Sequence, residues 1–437
     1  MKGYNFLLEN IVLPLGDALL GNSYIQHLRR WRKIQYLNAT ALRQLELQNL
    51  KKQLQFAVRQ VPFYQHIQLN PSASATEWLH SFPILTKQIL NDQQNELLTE
   101  PKHKLTKVAS SGSSGLRSVV YLNNHDLSTT RAIQTLWWEW TGFRLGDRLL
   151  QTGINPNRTF LKKIKDKLTR TTYTSAFNHD EASISSILRK QYDYFGGYAS
   201  SLNEFALIAE KYQIAAHFRA AFCWGDKVFD PYREQVRRSF RCELFETYGA
   251  SEGLMIAAQQ DLPYLYIMSP HIHLEILDDD HQPVPDGQLG HVVATRLDSR
   301  AMPLIRYQLG DLAIKLPAEL YPKDRKLQFP LLQKVIGRDT DVVKTRQGQV
   351  LVVHFFTGIF EHIPQIKQFR VIQESLDGIL IEYIPGKNFS VEILSTIEQQ
   401  ILKKIKEPFQ LVFKKVENIP PTASGKPQMV LSLIQKK

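Results

Sequence analysis

The sequence predicts an α/β protein of at least two domains, and three observations lead there. The chain is 437 residues long, beyond the usual size of one domain. Between about 118 and 340, strand-like runs alternate with helical ones, as a layered α/β arrangement requires. From about 338 a second, smaller pattern begins, with several strands around one helix.

The elements follow in order. Residues 22–68 read as helices. Apolar residues in LNATALRQLELQNLKKQLQFAVRQ recur every three or four positions, Asn38 or Thr40 is a suitable N-cap, and Pro62 ends the run. ILTKQILND, after Pro83, reads as a short helix. SVVYL, RLLQTG, HFRAAFCW and CELFETYG then read as strands, separated by the helical LSTTRAIQTLWWEW, LNEFALIAEKY and PYREQVRRSF. HLEILDDDHQPVPDGQLGHVVATRL reads as a β-meander with DDDHQ and PDG turns. The proline-rich 316–330 reads as loop. The last hundred residues carry the strands VVKT, VLVV, FRVIQ and GILIEYI, the helix SVEILSTIEQQILKKIK, and the strand FQLVFKKV.

Composition removes several classes. Hydrophobic residues make up 43% and charged residues 22%, enough apolar material for a core, so a disordered chain is not expected. No run reaches membrane-spanning length without charge. At the N-terminus, Glu9 and Asp17 interrupt the apolar run, which argues against a signal peptide and leaves an amphipathic membrane-surface segment open. Cys223 and Cys242 cannot form a disulfide framework and have no zinc-ligand spacing, so a reducing, cytoplasmic setting is expected. The net charge of +12 is partly local, at 158–170 and in the C-terminal lysines. No nucleic-acid-binding signature accompanies it, so solvated helix faces are the plainer reading.

The stretch 108-VASSGSSGLRSVVYL-122 bears on chemistry. Ser110, Ser111, Gly112, Ser113, Ser114 and Gly115 combine close backbone approach with hydroxyl donors, which suits an anion. A strand follows at once, against a flexible linker. The Walker A spacing is absent, so the loop alone leaves phosphate binding and a plain turn both open. Four more stretches stand in order: 245-FETYGASEG-253, 304-LIRYQLGDL-312, 336-IGRDTDVVK-344 and 420-PPTASGKPQ-428.

Together these resemble the adenylate-forming superfamily of acyl-CoA synthetases, and more closely its phenylacetate–CoA ligase branch with the CapK-like members tied to polysaccharide gene clusters. The branch is also resembled at 46-ELQNLKKQLQFAVRQVPFYQ-65, 82-FPILTKQIL-90, 142-GFRLGDRLL-150 and 196-GGYASSLNEFALIA-209. The likeness runs from about residue 40 to the end.

The resemblance implies an adenylate-forming fold: a large N-terminal domain of mixed α/β sheets over 1–337 and a small mobile α+β domain over 338–437. It implies that a carboxylate attacks the α-phosphate of ATP, giving an acyl-adenylate and pyrophosphate, and that an acceptor then displaces AMP. The acceptor in this branch is usually coenzyme A. An amine or hydroxyl, as on an amino sugar, is the alternative. The Ser110–Gly115 loop would hold the β- and γ-phosphates. Tyr248 would stack on adenine, Gly249 would let the backbone approach, and Glu252 would be the Mg²⁺ ligand. Asp311 would accept the ribose hydroxyls, Arg338 would act near the hinge, and Lys426 would neutralise charge on the α-phosphate. A homodimer is within the branch's range.

The chain departs from the pattern in several places. Leu116-Arg117 stands where a Lys-Pro pair is common, Thr340 replaces the usual hinge acid, and the following glycine-rich segment shrinks to Gln347-Gly348-Gln349. The stretch 254–270 lacks the Cys/His cluster of some relatives. Trp137, Trp138, Trp140, Tyr198, Trp224 and Ala250 lie in segments that approach the acyl pocket in relatives, which leaves an aromatic or apolar acid and a plain aromatic core equally open.

Overall fold

The computed structural model describes all residues except 1, 110–117, 154–157, 177–179, 339–340, 361–362, 406, 421–428 and 435–437. The chain forms two compact units. The larger is built from most of residues 1–334, and the smaller from Val335–Lys437 with Gly310–Ala313.

The larger unit opens with α1 (Lys2–Leu7), a π-helical turn over Leu8–Val12, and α2 (Leu13–Leu20). Gly21 stops α2 in the left-handed conformation, at φ 63°. α3 (Tyr24–Ile34) buries Ile25, Leu28, Trp31 and Ile34 along one face. α4 (Ala39–Gln60) is capped by Asn38, whose side chain accepts from the Ala41 amide at 2.8 Å. Its buried face also holds Glu46, whose carboxylate meets His273 at 2.6 Å. α5 (Ala75–His80) starts at a reciprocal capping box between Ser74 and Glu77. Thr86 caps α6 (Lys87–Asp92).

β1 (Thr106–Ala109) pairs antiparallel with β2 (Val119–Leu122) as a separate two-stranded sheet. α7 (Asn124–Trp140) then leads into alternating units: β3 (Leu149–Gly153), α8 (Phe160–Leu168), β4 (Thr171–Ser175), α9 (Glu181–Leu188), β5 (Tyr194–Gly197), α10 (Ala199–Lys211), β6 (Ala220–Cys223), α11 (Asp230–Phe240) and β7 (Leu244–Ala250). Strands β3 to β7 pair in parallel in the order β4-β3-β5-β6-β7. The helical crossovers make that possible. β5 and β6 are buried along their whole length, as parallel strands covered on both faces should be.

The sheet then turns antiparallel. β8 (Leu254–Gln259) pairs with β7, and β9 (Leu265–Ile267) pairs with β8. β10 (Ile272–Leu277) and β11 (Leu289–Arg296) form the expected hairpin around DDDHQ and PDG. β12 (Tyr307–Lys315) and β13 (Leu331–Arg338) complete eleven strands in the order β10-β11-β12-β13-β9-β8-β7-β6-β5-β3-β4. A 3₁₀ turn over Ala318–Leu320 interrupts the loop expected at 316–330.

In the smaller unit, β14 (Val342–Lys344) and β15 (Val350–Val352) form a hairpin, followed by α12 (Val353–Phe360). β16 (Ile366–Ser375), β17 (Gly378–Pro385), α13 (Glu392–Leu402), β18 (Gln410–Lys415) and β19 (Val430–Ser432) follow. The four strands lie in the order β18-β17-β16-β19, antiparallel at the centre and parallel at both flanks. Buried Gln373 ties the hairpin to this sheet, its amide donating to the Lys344 carbonyl at 2.6 Å.

Candidate active site

Tyr248 and Gly249 lie near the end of β7, and Glu252 lies in the turn that follows it before β8. A Cβ at position 249 would lie 2.7 Å from the Leu254 carbonyl oxygen, so the facing strands come too close for any side chain there. Gly253 turns the chain at φ 83°, and a Cβ on it would meet Arg296 Nη1 at 2.5 Å. These two glycines let the chain double back and aim Glu252 inward.

Glu252 is 5% exposed. Its Oε1 accepts from the Ser118 hydroxyl and from the Tyr307 hydroxyl, the latter at 3.1 Å, while Ser251 Oγ reaches Oε2 at 3.3 Å. A buried carboxylate needs such donors to stay in place. Tyr248 is half-buried four residues earlier.

Neither Ser118 nor Tyr307 was assigned a role from the sequence. Tyr307 belongs to the Arg-Tyr pair of LIRYQLGDL, and Ser118 stands three residues after the Ser/Gly loop, so nearness in sequence is the available signal. Leu85 explains another quoted stretch. It bridges Tyr307 in parallel, its amide bonding the Arg306 carbonyl at 3.0 Å, and so FPILTK braces the start of β12. Arg306 is structural, its guanidinium held by the buried Glu275 carboxylate at 3.0 Å.

Asp311 is buried in β12, next to Gly310 at φ 79°. Arg338, the last residue of β13, meets it at 3.1 Å. The structure therefore joins Glu252 to Tyr307 and Ser118, and Asp311 to Arg338. Residues Ser110–Gly115 and Lys426 lie outside the described residues, as do Leu116, Arg117 and Thr340.

The three tryptophans of WWEW diverge. Trp137 is core, and Trp140 packs against Tyr266 and Phe329 while its Nε1 donates to Gln35 at 2.8 Å. Trp138 stacks on Phe222 and on Trp224, at centroid separations of 4.9 and 5.9 Å, and those two rings also meet each other at 6.2 Å. Trp138, Trp140 and Trp224 are each half-buried. Both cysteines are buried. Burial pushes the Cys223 thiol well up and the Cys242 thiol up to about 12, so neither supplies a thiolate nucleophile.

Among the described residues no cluster of three His, Cys, Asp or Glu side chains forms a metal cage. Mg²⁺ is ordinarily held by one or two carboxylates plus substrate phosphates. A single buried, oriented Glu252 suits that mode. No helix among the described residues is long and apolar enough to cross a membrane.

Comparison with known proteins agrees with this architecture. Residues 343–432 match the CapK C-terminal domain. Protein CapK of Staphylococcus aureus is 21% identical across 98% of both chains. Phenylacetate-coenzyme A ligase of Pseudomonas putida is 26% identical over 76% of this chain and 78% of its own. The crystal structure of 2-hydroxyisobutyryl-CoA ligase, in the postadenylation state with 2-HIB-AMP, superposes with a TM-score of 0.70. It is 15% identical, with 92% of this chain and 91% of that one covered, a likeness of fold. The chain thus resembles CapK and the phenylacetate–CoA ligases along most of its length, and it shares the fold of an adenylate-forming CoA ligase.

Proposed function

We propose that this protein activates a carboxylic acid with ATP and passes the acyl group to coenzyme A. The observation that carries the reading is Glu252, a buried carboxylate braced by Ser118 and Tyr307 in the turn that follows Tyr248 and Gly249 of β7. In the first half-reaction a carboxylate oxygen attacks the α-phosphorus, the bond to the bridging oxygen breaks, and pyrophosphate leaves. In the second, the thiol sulfur attacks the acyl carbonyl, AMP leaves, and the thiol proton goes to solvent.

Negative charge gathers on the phosphates during the first step, so cations and donors must be set in place beforehand. Glu252 would hold Mg²⁺, which would supply part of that positive charge. Lys426 supplies the rest at the α-phosphate, and the Ser110–Gly115 loop donates to the β- and γ-phosphates. Tyr248 offers a face for adenine and Gly249 a close backbone. Asp311 takes the ribose hydroxyls, oriented by Arg338. In this reading residues 1–337 bind ATP and acid, residues 338–437 deliver the lysine, and a cytoplasmic setting supplies the ATP.

A second acceptor class has its own support. The chain matches CapK over its whole length, and the segment after Arg338 shrinks to Gln347-Gly348-Gln349. Both favour an amine or hydroxyl acceptor, such as an amino sugar. The stacked Trp138 and Trp224 favour an aromatic or apolar acid.

The test is acid-dependent exchange of labelled pyrophosphate into ATP across aryl, fatty, hydroxy and amino acids. Exchange is expected without an acceptor, and Lys426→Ala should abolish it. Adding coenzyme A or amino sugars then separates the acceptors. Exchange that Lys426→Ala leaves untouched would sink the assignment.

A further inference from the structure

Two features of the sequence lie outside the proposed reaction: the apolar N-terminal segment and the basic run at 158–170. Folding turns each into an amphipathic face. Leu7, Ile11, Leu15 and Leu19 recur every fourth residue through α1, the π turn and α2, and all are exposed, Leu15 at 59% and Leu19 at 85%. Phe6 and Leu20 widen that row. The other side of the segment is anchored, because Leu8 is buried and Asn5 donates to Asp147 at 2.9 Å. The acids here are taken up: Glu9 pairs with Arg32 at 2.5 Å, and Asp17 accepts from the Ile25 amide at 2.8 Å.

On α8, Phe160, Ile164 and Leu168 form a second exposed row, Phe160 at 76%. Exposed Lys162, Lys163, Lys165 and Lys167 lie on the same helix. Asp166, the acid on this helix, is held by Arg158 at 2.6 Å. The two rows adjoin, since the Tyr4 hydroxyl donates to the Leu168 carbonyl at 2.7 Å and Arg170 covers the Tyr4 ring at 4.0 Å. Exposed Arg29 borders the first row, its guanidinium donating to Asn10 at 3.0 Å.

We propose that these two faces together are a docking surface for an anionic lipid bilayer. Single exposed apolar residues need no explanation, but two adjoining rows, one on a lysine-rich helix, do. Leucine and phenylalanine would sit at the boundary of headgroups and acyl chains, and the lysines would reach the phosphates. The chain's net charge of +12 favours the same partner. A second copy fits less well, because an isologous contact would set lysine clusters against each other. The inference does not depend on the proposed reaction.

The experiment sediments the full chain with phosphatidylcholine vesicles and with phosphatidylcholine–phosphatidylglycerol vesicles. Binding is expected only with the anionic mixture, weakening as salt rises. The Leu15→Glu/Leu19→Glu and Lys162→Glu/Lys163→Glu double variants should each lose roughly tenfold or more in partitioning. All four positions are exposed, so thermal midpoints should stay near wild type. No binding to anionic vesicles, or binding unchanged in both variants, would overturn the proposal. So would variants that only convert a dimer to a monomer, which would make the face a contact between copies.

Discussion

Arg338 Nε lies 3.1 Å from Asp311 Oδ1, joining the end of β13 to the middle of β12. The carboxylate is buried and the guanidinium half-buried, so the pair holds the acid in one orientation rather than leaving it to rotate. Asp311 is the residue expected to accept both ribose hydroxyls. An acid that must present two oxygens to one diol gains from such prior fixing.

Arg338→Ala should therefore weaken nucleotide use more than it weakens the fold. We expect the KM for ATP in pyrophosphate exchange to rise by about tenfold or more, from lost orientation. Arg338→Lys should recover only part, because an ammonium cannot reproduce the planar fork. An unchanged KM in Arg338→Ala would show that the pair does not serve the nucleotide.

Tyr307→Phe removes one hydroxyl from Glu252 and little volume. Partners of metal-ligating carboxylates commonly tune metal affinity by about 10–100-fold. The Mg²⁺ concentration for half-maximal exchange should rise in Tyr307→Phe, and in Ser118→Ala, while the ATP-saturated rate at high Mg²⁺ largely returns. Loss of rate with no change in Mg²⁺ dependence would place these hydroxyls elsewhere in the chemistry.

The candidate residues were legible as motifs because glycines stand beside them. Tyr248, Gly249 and Glu252 fall within five residues where β7 runs into a tight turn, and Asp311 follows Gly310, so each stands in a short local pattern. The braces were not legible in the same way. Ser118 acts on Glu252 from 134 positions away and Tyr307 from 55, and no local pattern reports a hydrogen bond across such distances. WWEW shows the same limit: adjacent tryptophans on a helix face different neighbours, so composition cannot divide core from pocket. The alternating α/β region was readable from its periodicity, whereas α5 depends on a capping box too short to yield a repeat.

Gly253→Ala tests the turn itself. The new methyl would sit 2.5 Å from Arg296 Nη1, at a φ of 83° that side chains rarely adopt. A cost of about 1–3 kcal/mol is expected for such a strained residue in the fold. A urea midpoint equal to wild type would mean that the hairpin relaxes freely, and that Glu252 is not set by this turn.

Acid stability should report on His27. Burial, then the neighbouring His125, lowers its pKa to about 4 from an ordinary 6.5. The His125 ring stands edge-on at 4.9 Å, Thr129 Oγ1 is 3.5 Å from Nδ1, Asp298 pulls the other way, and Arg30 and Arg296 add to the lowering. Above about 6.5 both folded and unfolded chains hold a neutral imidazole, so this group contributes no slope. Between about 6.5 and about 4 the unfolded chain binds more protons, so stability falls as pH drops through that window. The ring is only half-buried, so the loss should be on the order of 1 kcal/mol, short of the full linkage value. His27→Asn should flatten this part of the stability–pH curve, measured by urea unfolding at stepped pH. An identical slope in the variant would assign the acid sensitivity to other groups.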